Sequence, residues 1–166
     1  LTNLYSVVNS LRDEWKIANP KASYPVVAVR STVMPGTCDK LSSILNELPN
    51  YKRGHNFDVC SNPEFLREGL AIEDYFNPPY NLVGSQNKRT QQIMSKMYKD
   101  IKSEFVVTSV NIAESIKFVN NSFHALKITF ANEVGLILKN NNVDSRELMR
   151  IFCKDKKLNL SPYYLK

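Results

Sequence analysis

An α/β fold, a parallel sheet layered with helices and followed by one long helix, is what this sequence predicts, and three observations predict it. Short runs of β-branched and other apolar residues recur up to residue 108. Stretches with helical periodicity lie between them. Beyond residue 110 the strand-like runs cease, and a stretch with no proline and one glycine, Gly135, extends to Asn140.

The opening stretch repeats Leu4, Val7, Val8, Leu11, Trp15 and Ile17 near the helical period until Asn19-Pro20, which predicts one amphipathic helix. Val26-Val27-Ala28-Val29 is wholly apolar, the composition of a strand covered on both faces. After Pro35-Gly36-Thr37 a helical pattern runs from Leu41 to Leu48. Asp58-Val59-Cys60 predicts a second strand, Asn81-Leu82-Val83-Gly84 a third after the breaker Asn77-Pro78-Pro79, and Phe105-Val106-Val107-Thr108 a fourth. Arg89 to Ile101 is helical in pattern. Strands alternating with helices in this rhythm imply crossovers and hence a parallel sheet, with its ligand edge at the carboxyl ends of the strands. Ser31-Thr32 and Ser61-Asn62-Pro63 sit at that edge. No GxGxxG turn occurs, so the sheet resembles the C-terminal half of a Rossmann-type domain whose first half lies upstream.

Residues 111–140 predict a helix of roughly 30 residues, about 45 Å long. Ile112, Ile116, Val119, Phe123, Leu126, Phe130, Val134 and Ile137 step by threes and fours along one stripe, the face expected to pack. Lys117, Asn121, His124 and Asn132 fall within roughly 80° of one another, nearly opposite that stripe. A last helix through Leu148, Met149 and Phe152 is capped by Asp144 or Ser145, and a basic, irregular tail containing Pro162 follows. The change of pattern divides the chain into an α/β part, 1–109, and a helical part, 110–166.

At 166 residues and 43% hydrophobic content the chain can bury one large or two small cores. No apolar run approaches the roughly 20 residues of a membrane span, and the amino end lacks the basic-then-apolar order of a signal peptide. A soluble, cytoplasmic protein that neither enters nor lies on a membrane is expected. Cys38, Cys60 and Cys153 form no CxxC pair and have no histidine at metal-ligand spacing, which predicts reduced thiols and no metal. The net charge of +6 comes from basic residues interspersed with acids, so no nucleic acid partner is predicted. An anionic small molecule accounts for it as well as compositional bias does.

Three groupings carry chemistry. Lys117 and Asn121 are one helical turn apart, so an ammonium and an amide can converge on one oxygen; a solvated helix face has the same spacing. Asn62-Pro63-Glu64-Phe65-Leu66-Arg67-Glu68-Gly69 follows a strand and holds two carboxylates four apart, which can divide acid and base work or lie as surface charges after a turn. Thr32 ends the first strand as a small hydroxyl residue at the ligand edge, or as a cap for the next helix.

The Asn62–Gly69 segment and the run Lys117-Phe118-Val119-Asn120-Asn121-Ser122-Phe123-His124-Ala125-Leu126-Lys127 resemble active-site pieces of the UDP-glucose/GDP-mannose dehydrogenase family, the nucleotide-sugar 6-dehydrogenases. Arg30-Ser31-Thr32-Val33-Met34-Pro35-Gly36-Thr37 and residues 157–166 resemble two further blocks, in the family's order. The resemblance implies an NAD-dependent oxidation of a sugar C6 hydroxyl to a carboxylate by two hydride transfers, through a cysteine thiohemiacetal. It assigns Lys117 and Asn121 to the oxygen of that intermediate, and Glu64 and Thr32 to the hydrolytic water. Thr32 and Glu68 are expected at the NAD cofactor. Phe65, Leu66, Arg67, Glu68, Lys117, Asn121, His124, Asn132, Tyr163, Tyr164 and Lys166 are expected at the nucleotide-sugar substrate, the last three across a homodimer formed through the central helix. The tyrosine pair also suits ordinary packing. Lys166 stands where the family has arginine and can neutralise a phosphate but not fork onto it. His124 and the final block resemble the GDP-mannose branch, with UDP-glucose as the rival substrate. The family's nucleophile lies in a Gly-Gly-Ser-Cys-type loop that this chain does not contain. None of its three cysteines is expected in that role, and Cys153 is expected to be buried. The polypeptide by itself is therefore expected to be inactive, and a non-catalytic dimerisation module remains the alternative.

Overall fold

The computed structural model describes residues 2–18, 23–163 and 165. Its element order is α1 (Thr2–Ala18), β1 (Val26–Val29), α2 (Thr37–Asn46), β2 (Asp58–Ser61), α3 (Ala71–Phe76), β3 (Asn81–Gly84), α4 (Lys88–Met97), β4 (Phe105–Thr108), α5 (Val110–Asn140) and α6 (Ser145–Phe152). The chain forms two compact units, Leu1–Val119 and Asn120–Lys166. No helix among the described residues is long and apolar enough to cross a membrane.

In the first unit the strands lie in the order β1-β2-β3-β4. Strands β1 and β2 send alternate residues into two cores, which explains the continuous apolar run of β1. On one face Val29 and Val59, with Val27 partly buried, meet Val8 and Trp15 of α1, Leu41 and Leu45 of α2, and Phe57. On the other, Cys60 and Val83, with Val26 and Ala28, meet Met94 of α4 and Tyr98. Leu41 and Leu45 are fully buried, each contributing roughly 1.5–3 kcal/mol relative to exposure. In α1 the buried stripe is Leu4, Val8, Leu11 and Trp15; Val7 and Ile17 lie on the outer face. Trp15 stacks on Tyr51 at 5.4 Å between ring centroids and meets the edge of Phe57 at 5.7 Å.

The sheet departs from an all-parallel one at a single seam. β1/β2 and β3/β4 are parallel, but β2 and β3 run antiparallel and pair only at Ser61 and Gly84. The connections explain this. Helices α2 and α4, which join the parallel pairs, bury residues on the sheet, whereas α3, between β2 and β3, buries none. Without a packed crossover the chain simply turns back. Asp58 staples the seam: its carboxylate accepts from Ser85 Oγ at 2.9 Å, Thr90 Oγ1 at 2.6 Å, Arg53 Nε at 2.9 Å and Val59 N–H at 2.8 Å.

Helix α5 corrects the expected packing. Its buried residues are Ala113, Glu114 and Lys117. The apolar stripe is open, with Ile112, Val119, Phe123, Leu126, Phe130 and Ile137 all exposed. Only the first turns of this helix reach the sheet, which is why the first unit ends ten residues beyond the change of sequence pattern at 109/110. In the second unit Phe130 packs against Phe152 of α6, with centroids 5.6 Å apart, and Asp144 caps α6 by accepting from the N–H groups of Arg146 and Glu147. Cys153, at the end of α6, is exposed rather than buried, because this short helix buries no residue.

Gly84 is where β3 meets α5. A Cβ there would stand 2.5 Å from Ala113 Cβ and 2.9 Å from Val110 Cα, whereas one on Gly135 meets nothing within 4 Å. Gly84→Ala should therefore destabilise the chain by about 1–3 kcal/mol through overpacking against backbone, while Gly135→Ala should stabilise it by about 0.5–1 kcal/mol through helix propensity. Urea unfolding of the two variants checks this, and equal midpoints would refute the close approach.

Candidate active site

β1 and β2 end side by side, with Val29 in register with Ser61, so the residues that follow them emerge from one edge. Asn62 is buried and roots the emerging loop. Its N–H donates to Val29 O at 2.8 Å and its Nδ2 to Leu82 O at 2.9 Å, while its Oδ1 accepts from Tyr98 Oη at 2.6 Å and Arg30 Nη1 at 3.1 Å. Arg30 Nη1 also donates to Tyr98 Oη at 2.6 Å. Every polar atom of the Asn62 amide that faces the interior has a partner, which fixes where Pro63 and Glu64 begin.

From that root Glu64 folds back on its own segment. Its Oε2 accepts from Leu66 N–H at 2.7 Å and its Oε1 from Lys117 Nζ at 2.9 Å. Lys117 Nζ donates as well to the Glu64 backbone carbonyl and lies 5.7 Å from the centroid of Phe65, whose ring meets the edge of Tyr80 at 5.0 Å. The lysine is thus buried without being stranded: its ammonium has a carboxylate, a carbonyl and an aromatic face. Burial pushes the Glu64 carboxyl up, but the Leu66 N–H, Lys117 and the charge of Arg30 outweigh it and hold the group below its ordinary value. A narrow crevice of about 20 Å³, room for roughly one water, opens beside it, lined among others by Arg30, Glu64, Leu66, Tyr75, Tyr80 and Tyr98. The arrangement offers an ionised proton acceptor and a cationic donor 2.9 Å apart at the edge of a crevice.

The remaining expected residues are placed as follows. Thr32 is exposed in the loop after β1; it caps nothing, since α2 starts at Thr37 behind Gly36. Phe65 and Leu66 are half-buried, whereas Arg67 and Glu68 are exposed. Glu64 and Glu68 do not form a pair: the first is drawn to Lys117, and Arg67 between them turns away to Asp74, bonding it at 3.0 and 2.7 Å and holding its carboxyl down at about 2. In the second unit Asn121, His124 and Asn132 are exposed on α5, and Tyr163 is exposed in the tail. Tyr164 and Lys166 lie outside the described residues. Cys38 and Cys60 are buried, and burial raises both thiols, Cys60 to about 12, which leaves them inert as nucleophiles.

Sequence reasoning missed Arg30, Tyr98 and Glu114. Arg30 was visible at the end of a strand at the ligand edge; Tyr98 and Glu114 carried no local signal, because their partners lie 36 and more than 70 residues away. Arg53 is half-buried between Asp39 and Asp58. Among the described residues no group of three His, Cys, Asp or Glu side chains could hold a metal ion.

Residues 2–102 match the model of the UDP-glucose/GDP-mannose dehydrogenase family, NAD binding domain, and residues 111–166 that family's central domain. The GDP-mannose 6-dehydrogenase of Pseudomonas aeruginosa is 42% identical over 147 residues, which are 88% of this chain and 34% of the relative. The crystal structure of a ternary complex of GDP-mannose dehydrogenase from the same organism superposes with a TM-score of 0.88 at 39% identity, covering 97% of this chain and 37% of that one. A UDP-glucose dehydrogenase from Pyrobaculum islandicum gives a TM-score of 0.83 at 34% identity, covering 94% and 35%. The chain spans about a third of the length of the curated relatives it matches.

Lys117→Met should let the Glu64 carboxyl titrate higher, toward 4.5, the ordinary value. Because a lowered folded-state pKa adds stability above the unfolded value and loses it as pH falls through the folded one, the deficit of the variant relative to wild type should be largest near neutrality and shrink below pH 4.5. Carboxyl ¹³C titration and urea midpoints at pH 7 and 3 measure both effects, and a Glu64 midpoint that stays put would refute the pairing.

Proposed function

Because the chain belongs to the UDP-glucose/GDP-mannose dehydrogenase family, we propose that it carries part of the active site of a nucleotide-sugar 6-dehydrogenase that oxidises the C6 hydroxyl of GDP-mannose to a carboxylate. The observation that carries this is the buried Lys117 ammonium held against the Glu64 carboxylate beside a crevice. Residues 1–109 then belong to the NAD-binding portion and 110–166 to the central helical portion.

Oxidation of an alcohol to an acid removes two hydrides and adds one water. NAD supplies the hydride acceptor when bound. The carboxyl edge of β1, with the exposed Thr32 hydroxyl, fits contact with one end of such a cofactor, and Glu68 stands in the loop after β2. The pyrophosphate-cradling glycine turn is not among the 166 residues. Lys117 neutralises oxyanion charge that develops at C6, and Asn121, one turn further along the same helix, adds an amide donor. In the free protein the ammonium rests on Glu64; an anionic oxygen of the substrate offers it a second partner and leaves the carboxylate able to accept a proton. Glu64 is suited to take that proton from the hydrolytic water, since it is held ionised well below neutrality, and the Thr32 hydroxyl orients the water. The family's nucleophilic cysteine is not supplied by this chain, which leaves the 166 residues inactive alone.

His124 and the 157–166 block favour GDP-mannose, with Phe65, Leu66, Arg67, Asn132, Tyr163, Tyr164 and Lys166 as further substrate contacts; UDP-glucose is the alternative within the family. A cytoplasmic homodimer, in which a second copy covers the exposed stripe of α5, goes with this assignment. That same stripe favours a second reading, a dimerisation module without catalysis.

Calorimetric titration of the chain separates these possibilities. GDP-mannose should bind and UDP-glucose bind less tightly; the reverse order transfers the assignment to the rival substrate, and no heat from either supports the module. In the polypeptide extended to the length of its relatives, Lys117→Ala should lower kcat by about 10²–10³-fold with little change in KM. NADH formation at saturating substrate measures it, and an unchanged kcat would remove Lys117 from the reaction.

A further inference from the structure

We infer that Glu114 is a positioning residue: by clamping α5 onto the amino end of α2, it holds Lys117 where its ammonium meets Glu64. The inference rests on the assignment of Lys117 and Glu64 as the reacting pair.

Helix α2 has Gly36 at its N-cap, with φ of 87°, and so has no capping side chain of its own. Glu114 supplies what is missing from far along the chain. Its Oε2 accepts from Gly36 N–H and its Oε1 from Cys38 N–H, each at 2.7 Å. Glu114 is 1% exposed and, among the described residues, its carboxylate has no ion-pair partner; what offsets its burial is the pair of N–H groups and the positive end of the helix. The thiol of Cys38 is pushed up by burial and then by this carboxylate.

Placement gives the contact its consequence. Glu114 and Lys117 are three residues apart on one helix, so both side chains project from the same side, about 4.5 Å apart along the axis. With Ala113, which touches the position of Gly84, they are the buried residues of α5. A slide of α5 along the sheet would stretch both bonds of Glu114, adding a directional restraint to the close packing of Ala113 on Gly84. The clamp therefore connects the loop that carries Thr32 with the helix that carries Lys117.

Glutamine at this position keeps one acceptor oxygen but turns an NH₂ toward the second backbone N–H, and aspartate keeps the charge but falls one methylene short of both. The Glu64 carboxyl, followed by ¹³C in glutamate-labelled chain, is the probe, with Lys117→Met as the reference for a lost partner. Glu114→Gln should move the Glu64 midpoint upward by about half a pH unit or more, toward the Lys117→Met value, and Glu114→Asp should move it by less in the same direction. Loss of a neighbouring negative charge without displacement would move it downward, and general loosening of the fold would leave the folded-state midpoint alone. A midpoint that is unchanged or lowered in folded Glu114→Gln overturns the inference. If that variant does not fold, the result for Glu114→Asp decides: raised supports the clamp, unchanged overturns it. The measurement needs no sugar nucleotide. An unmoved midpoint in Glu114→Gln, with the wild-type chain binding GDP-mannose, therefore sinks the clamp alone, and a raised midpoint, with no binding by the wild-type chain, sinks the functional assignment alone.

Discussion

The distance between β3 and α5 at Gly84 governs the rest of this structure. A side chain there would collide with Ala113 and with the backbone of Val110 and Ser109, so the helix can lie this close only on glycine. Close approach brings Glu114 and Lys117 into the interior, where an unpaired charge would cost several kcal/mol. Both charges are met by hydrogen-bonded partners, Glu114 by two backbone N–H groups and Lys117 by Glu64. The interior is thus polar by arrangement at the place where the chemistry is assigned.

The same economy of partners holds at the seam of the sheet. A single antiparallel pairing at Ser61 and Gly84 would be a weak joint between two parallel pairs. Asp58 and Asn62 reinforce it from either end of β2, the first with four bonds, the second by reaching Leu82 across the seam while holding Arg30 and Tyr98. Because Asn62 is both the staple and the root of the Glu64 loop, the strand pairing and the site share one residue. Substitution there would be felt in both, with no means of separating them.

Beyond Val119 the balance differs. Helix α5 keeps a regular apolar stripe, yet with Phe152 and the tail around Leu160 and Pro162 beside it, Phe123, Leu126 and Phe130 stay exposed. Periodicity records that a face is made for burial and is silent on what buries it. In a chain that spans about a third of its relatives, such a face is reasonable, since its cover need not come from these residues.

Much of the fold was legible locally. The four strands, the long helix and the Asp144 cap depend on neighbours within a few residues, and the motif around Glu64 stood out by its resemblance to a family block, since its spacing alone also suits a turn with surface charges. Reversal at the seam was not legible, because it depends on whether a connecting helix packs, and α3 does not. Nor was the buried face of α5: the apolar stripe suggested one side, and the sheet took the other. By itself the sequence determined the elements and their order, which follow from short-range propensity, and its resemblance to the family, rather than spacing, singled out the candidate chemical groups. Only the tertiary structure decided that Lys117 meets Glu64 across 53 residues and Glu114 meets Gly36 across 78, since such meetings depend on how closely packed elements can approach.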